Sequence, residues 1–118
     1  MSTAATIVVA VVALIHVYIL VLEMFLWDKP AGLRAFGQTQ QAATASRVLA
    51  ANQGLYNGFL AAGLAWGLWL GANGTGVKVF FLGCVLVAGL YGAATASRKI
   101  LYVQAIPAAL GLALIALS

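Results

Sequence analysis

Residues 4–27 form a nearly unbroken apolar run that stops at Trp27-Asp28-Lys29-Pro30. A helix needs about 20 apolar residues to cross a hydrocarbon core, and a tryptophan, two charges and a proline make a firm end. A first spanning helix is therefore predicted over about 3–27. It has no basic region ahead of it and no cleavage motif, so it is expected to be retained rather than removed as a leader. The stretch 31–38, with Gly32 and Gly37, reads as a short polar connection. Thr39 is a capping residue for a second helix over about 40–70. At about 1.5 Å per residue that helix is longer than the hydrocarbon is thick, so its first two turns, through Arg47, are expected to protrude. Gly71-Ala72-Asn73-Gly74-Thr75-Gly76 is a turn by composition. A third helix follows over about 77–96 and breaks at Ser97-Arg98-Lys99. A fourth covers about 100–117, bent by Pro107. The pattern predicts an all-α integral membrane protein: one domain, 1–118, of four transmembrane helices in an up-down bundle.

Small residues recur at helical spacing: Gly54 and Gly58, then Gly63, Gly67 and Gly71, then Ala88 and Gly92, and finally Ala105, Ala109 and Ala113. Lipid gives no hydrophobic drive between helices, so close backbone approach has to supply dispersion contacts instead. Such stripes serve packing within one bundle or between subunits, and four short helices make a thin bundle, so a homo-oligomer is expected.

Composition sharpens this picture. The chain is 64% hydrophobic and 7% charged, whereas a soluble domain carries about 25% charged residues. The formal charge of +4 rests on Lys29, Arg34, Arg47, Lys78, Arg98 and Lys99 against Glu23 and Asp28. The basic residues are scattered at helix ends, which suits contacts with membrane lipids and not a nucleic acid. Five of them fall in the first and third connections and only Lys78 in the second. The positive-inside rule then places those connections in the cytoplasm and both termini outside, in the plasma membrane. The lone cysteine, Cys84, lies among apolar residues and reads as an inert thiol. One His and two acids make a poor metal set, and no metal is expected. Phosphate-loop, dinucleotide and nucleophile-elbow motifs are absent from the sequence.

Most of the polar side chains inside the predicted spans lie at one depth, near the cytoplasmic ends. Glu23 is one turn inside helix one. Asn52, Gln53, Tyr56 and Asn57 lie one to two turns inside helix two, Tyr91 near the end of helix three, and Gln104 one turn inside helix four. His16, Glu23 and Trp27 share one helical face, and the pairs Gln53–Asn57 and Asn52–Tyr56 recur at four residues. Unpaired polar groups are costly in hydrocarbon, so these side chains, joined by Arg98, are expected to converge on one pocket. Glu23 and His16 are the candidate acid/base groups. Trp27, Asn52, Gln53, Tyr56, Asn57, Tyr91, Arg98 and Gln104 are the candidate ligand contacts. The residues leave plainer roles open: Glu23 reaching the headgroups or pairing with Arg98 or Lys99, His16 as a structural histidine, the amides as interhelical glue, and Trp27 and Tyr91 as interfacial anchors.

Three stretches resemble the domain-of-unknown-function 1304 family of small bacterial membrane proteins: His16-Val-Tyr with Leu22-Glu-Met-Phe-Leu-Trp27, Ala51-Asn-Gln-Gly-Leu-Tyr-Asn-Gly58, and Gly92 with Arg98-Lys-Ile-Leu101 and Gln104. That resemblance covers the whole chain and implies no activity. Asn52 with Tyr56, and Arg98, Tyr102, Gln104 and Pro107, are more distantly similar to motifs of the MAPEG superfamily. Its members are four-helix trimers with a glutathione and lipid site at their subunit interfaces. Leu55 stands where that superfamily has a glutamate, and Val48 where it has an arginine. The distant resemblance implies a trimer and glutathione as a cofactor.

Taken together, the sequence points to a cytoplasm-facing intramembrane pocket for a small amphipathic or lipid-like molecule, with or without chemistry. The competing classes are a proton-coupled transporter or channel subunit using Glu23, and a structural membrane protein whose polar layer is adhesive.

Overall fold

Ser2 starts the first helix: its side-chain oxygen accepts from the Ala5 amide and its carbonyl from the Thr6 amide, the arrangement expected of an N-cap serine. In the computed structural model, which describes residues 1–118, the chain is all-α, with five helices and no strand. They are α1 (Thr3–Met24), α2 (Pro30–Phe36), α3 (Gln40–Trp69), α4 (Thr75–Thr95) and α5 (Ile106–Ala116).

The expected polar connection over 31–38 is instead mostly helical. Pro30 stands in the first turn of α2, where its missing N–H leaves nothing unsatisfied. Gly37 closes the helix in the left-handed region, φ 62°, its N–H on the Leu33 carbonyl. Gly32 is buried against the Leu26 and Trp27 carbonyls, where any Cβ would collide. The glycine that looks like a loop signal is thus the residue that lets α2 fold back onto the preceding turn. α1 also ends earlier than expected, at Met24, and the Phe25 and Leu26 amides both reach the Val21 carbonyl.

Thr39 caps α3, accepting from the Ala42 amide at 3.1 Å. After α3 the chain turns at Gly71, φ 62°, and makes one 3₁₀ turn over Gly71–Gly74. Lys78 is not a connection residue: it lies inside α4 and is 1% exposed. Ahead of α5, Leu101–Ala105 forms a π turn in which the Ile106 amide bonds the Leu101 carbonyl. Pro107 offers no N–H and crowds the turn before it, and the wider turn absorbs that strain.

The chain divides into two compact units, Met1–Ile15 with Leu60–Ser118, and His16–Phe59. The first has a core of Val9, Val12, Ala13, Leu64, Leu82, Val85 and Ala108. Its helices approach at glycines: Gly63 against the Phe81 ring, Gly89 against the Ala105 backbone, Gly92 against Ile100 and Gly111 against Leu82. The expected alanine stripes are displaced. Gly89 and Gly111 make these contacts, while Ala88, Ala109 and Ala113 are exposed and Gly71 serves the turn. In His16–Phe59, Gly54 and Gly58 receive Met24 and Leu20 of α1.

No Phe, Trp or Tyr side chain is buried, and seven of the thirteen buried hydrophobics are alanine. Large apolar side chains point outward instead, Leu14, Val48, Phe80 and Trp69 among them. The stretches Thr3–Met24 and Gly71–Thr95 are long and apolar enough to cross a membrane, and Leu101–Ala116 is apolar but shorter.

Candidate functional site

Glu23 sits in the last turn of α1 beside α3. Gly54 and Gly58 make that approach possible: a Cβ at Gly54 would lie 3.1 Å from the Glu23 Cβ and 2.6 Å from Met24 Cγ, and one at Gly58 would lie 2.7 Å from Leu20 Cδ1. Asn57 belongs to the same helical face, three residues after Gly54 and one before Gly58. Its side-chain amide donates to Glu23 Oε1 at 2.6 Å and to its own helix at the Gln53 carbonyl, 3.1 Å. Asn57 thus donates the hydrogen bond on one carboxyl oxygen of Glu23. A carboxyl group has acceptor capacity for about four, more than this one bond uses.

The other predicted residues of this unit divide by face. Asn52 and Gln53 are exposed, and Asn52 turns its amide back to the Val48 carbonyl at 2.9 Å. Tyr56 is exposed and tilts against Phe59, ring centroids 6.1 Å apart. With Val48 and Phe59 they make a mixed amide and aromatic strip on the outside of α3. His16 is fully buried and has a partner. Seven residues from Glu23, it is displaced by about 10 Å along the helix axis, too far for direct proton exchange.

Beneath the pair, contacts fix the turn between α1 and α3. The Trp27 indole N–H donates to Ser46 Oγ at 3.1 Å, and its ring packs on Phe36 with centroids 4.7 Å apart. The Gln40 amide donates to the Asp28 carbonyl at 3.1 Å, and Arg47 faces the Asp28 carboxylate at 3.8 Å. Trp27 is thus half-buried and tied to Ser46, a residue whose role the sequence pattern did not signal.

Tyr91, Arg98 and Gln104 belong to the other unit. Tyr91 is exposed on α4 and borders a shallow apolar groove with Val79, Phe80, Gly83, Cys84, Val87 and Ala88. Arg98 is exposed in the connection after α4, and Gln104 is half-buried in the π turn and has a partner. No three His, Cys, Asp or Glu side chains cluster closely enough to hold a metal ion. What the site offers chemically is a carboxyl group fixed in place by one amide within an apolar helix pair.

Comparison with known proteins follows the same motifs. A family model described as a protein of unknown function (DUF1304) matches residues 10–116. The chain is similar to the uncharacterized protein YpaA of Lactococcus lactis subsp. lactis (strain IL1403), at 31% identity over 108 residues, which is 90% of this chain and 87% of that one. No solved structure matches.

Proposed function

The chain belongs to the DUF1304 family, and from that premise, which brings no activity with it, we propose a multi-pass membrane protein that binds a small amphipathic molecule at the Glu23–Asn57 pair. The inside-out distribution of side chains supports the membrane reading. Bulky apolar residues exposed on every long helix would form aggregating patches in water, but they suit hydrocarbon. α1, α3, α4 and the stretch Leu101–Ala116 are the four spans of this reading, in up-down order. Its topology has both termini outside. Lys29, Arg34, Arg47, Arg98 and Lys99 are all exposed and flank the first and third connections, whereas Lys78 is buried.

The observation that carries the binding reading is the 2.6 Å bond from Asn57 to Glu23. It orients one carboxyl oxygen and leaves the rest of the group to a ligand with a hydrogen-bond donor at its head and an apolar body. The exposed strip of Asn52, Gln53 and Tyr56 gives the same helix a polar face for a second subunit, so the active form in this reading is a homo-oligomer, a trimer by the distant resemblance.

Two substitutions test the proposal. Glu23→Gln keeps size and hydrogen bonding while removing the charge; Glu23→Leu removes both the charge and the hydrogen bonding. Extraction and mass spectrometry of molecules that co-purify with the protein should find the ligand lost from both variants, with the melting temperature in detergent nearly unchanged for Glu23→Gln. Glu23→Leu also strands the Asn57 amide and should lose about 1–3 kcal/mol. If Glu23→Gln retains the ligand and only Glu23→Leu is destabilised, the pair is structural and the binding reading falls. Labelling of Glu23→Cys from both membrane faces, in a Cys84→Ser background, would favour transport instead.

A further inference from the structure

Lys78 is among the largest fully buried side chains of the molecule. Its stem occupies space that Gly67 leaves free, since a Cβ there would lie 2.7 Å from Lys78 Cγ and 3.2 Å from its backbone nitrogen. Its Nζ donates to the Gly71 carbonyl at 3.0 Å. Glu23 and Asp28 are the chain's two acidic side chains, and both lie in His16–Phe59, so the unit that holds Lys78 has no carboxylate side chain at all. One carbonyl dipole is a poor match for a buried cation that has three donors. A lysine that merely snorkels would extend its amino group to solvent; this one stays 1% exposed.

The residue nonetheless borders open space. Lys78 lines a cleft of about 280 Å³, with Met1, Thr6, Leu68, Gly71 and Ala72 as its other walls. Thr6 belongs to the opening turns of α1, and Lys78 to the first turn of α4. Both helix N-termini carry partial positive charge, which adds to that of the lysine, while the C-terminal end of α3 at Leu68 and Gly71 carries the opposite sign and meets the amino group. The cleft is slightly smaller than the roughly 300–1,000 Å³ of sites for drug-sized ligands, a size that suits a headgroup better than a whole lipid.

We propose that this cleft binds a phosphate group, as the head of an anionic lipid or as a free anion, with Lys78 as its cationic contact. Lysine serves phosphate as a point charge and needs no bidentate geometry. The ligand supplies the negative charge that the side chains of this unit lack, and the Gly71 carbonyl, itself in the cleft wall, holds the amino group in its absence. The site shares no residue with the Glu23–Asn57 pair.

The test uses the full chain in an uncharged detergent, with inorganic phosphate and water-soluble dihexanoyl phosphatidylglycerol titrated in parallel. Binding is read from the melting temperature and from the fluorescence of Trp66 and Trp69 at the end of α3. A saturable response to the short lipid alone supports a headgroup site, and one to phosphate alone or to both supports a site for the anion itself. Lys78→Met should weaken the response at least about tenfold, and Lys78→Arg should retain most of it. If Lys78→Met does not fold, Ala72→Glu places a carboxylate at the cleft and should abolish binding in a folded protein. Absence of response to both probes, or an unchanged response in Ala72→Glu or in a folded Lys78→Met, overturns the proposal.

Discussion

The two compact units hold themselves together by different means. His16–Phe59 relies on directed contacts: Asn57 to Glu23, Trp27 to Ser46, Gln40 to Asp28, and the ion pair of Arg47 with Asp28. The unit of Met1–Ile15 and Leu60–Ser118 relies on shape, with Val, Leu and Ala interlocked and glycines where a ring or backbone presses closest. Glycine at a helix contact therefore does two jobs in one chain. At Gly63 and Gly89 it admits bulk, while at Gly54 it brings a carboxyl group within reach of an amide. Close packing is a purpose in one unit and a means of positioning in the other.

That contrast is broken most strongly by removing shape. Leu82 is fully buried in its unit's core, and Leu82→Ala should cost about 2–5 kcal/mol, because the cavity forfeits dispersion contacts whatever solvent surrounds the bundle. Thermal melting in detergent measures it. An intermediate loss is expected from Asn57→Leu, about 1–3 kcal/mol, since the Glu23 carboxyl then loses the Asn57 hydrogen bond. The comparison is sharpened by pairing it with Glu23→Leu: if the two groups act as a unit, the double variant should be more stable than the sum of single losses predicts. The smallest effect belongs to Arg47→Ala. Its ion pair is long, at 3.8 Å, and the Arg47 side chain is 64% exposed, so chemical denaturation should register less than about 0.5 kcal/mol. A large loss there would mean that the directed contacts of this unit extend to its rim.

Apolar runs and the breaks between them made the long helices legible, and Thr39 marked the start of α3. The short helix α2 was not legible, because Pro30, Gly32 and Gly37 are loop residues by propensity. The reason for Gly32 is a contact with the Leu26 carbonyl, which local pattern does not reveal. The candidate site was legible by residue type but not by face. Four polar residues fall within 52–57, and spacing groups them without saying which group meets α1. A usable signal was present: Gly54 and Gly58 mark the contact face, and Asn57 lies on it while Asn52 and Tyr56 do not. Lys78 was hidden for a different reason. Near the start of a helix it resembles an interfacial anchor, and its burial depends on Gly67, eleven residues earlier and on another helix.

The π turn at Leu101–Ala105 acts as a phase setting for all that follows it. A π turn holds one residue more than a regular turn, and each residue rotates an α-helix by about 100°. Ala105, Ala108 and Gly111 are the buried edge that results, flanked by the exposed Ile106 and Leu110. Deleting one residue from the turn would restore a regular ladder at the price of rotating that edge away and driving larger side chains toward Leu82 and Gly89. The chain carries a local irregularity so that its last helix presents its smallest residues where there is least room.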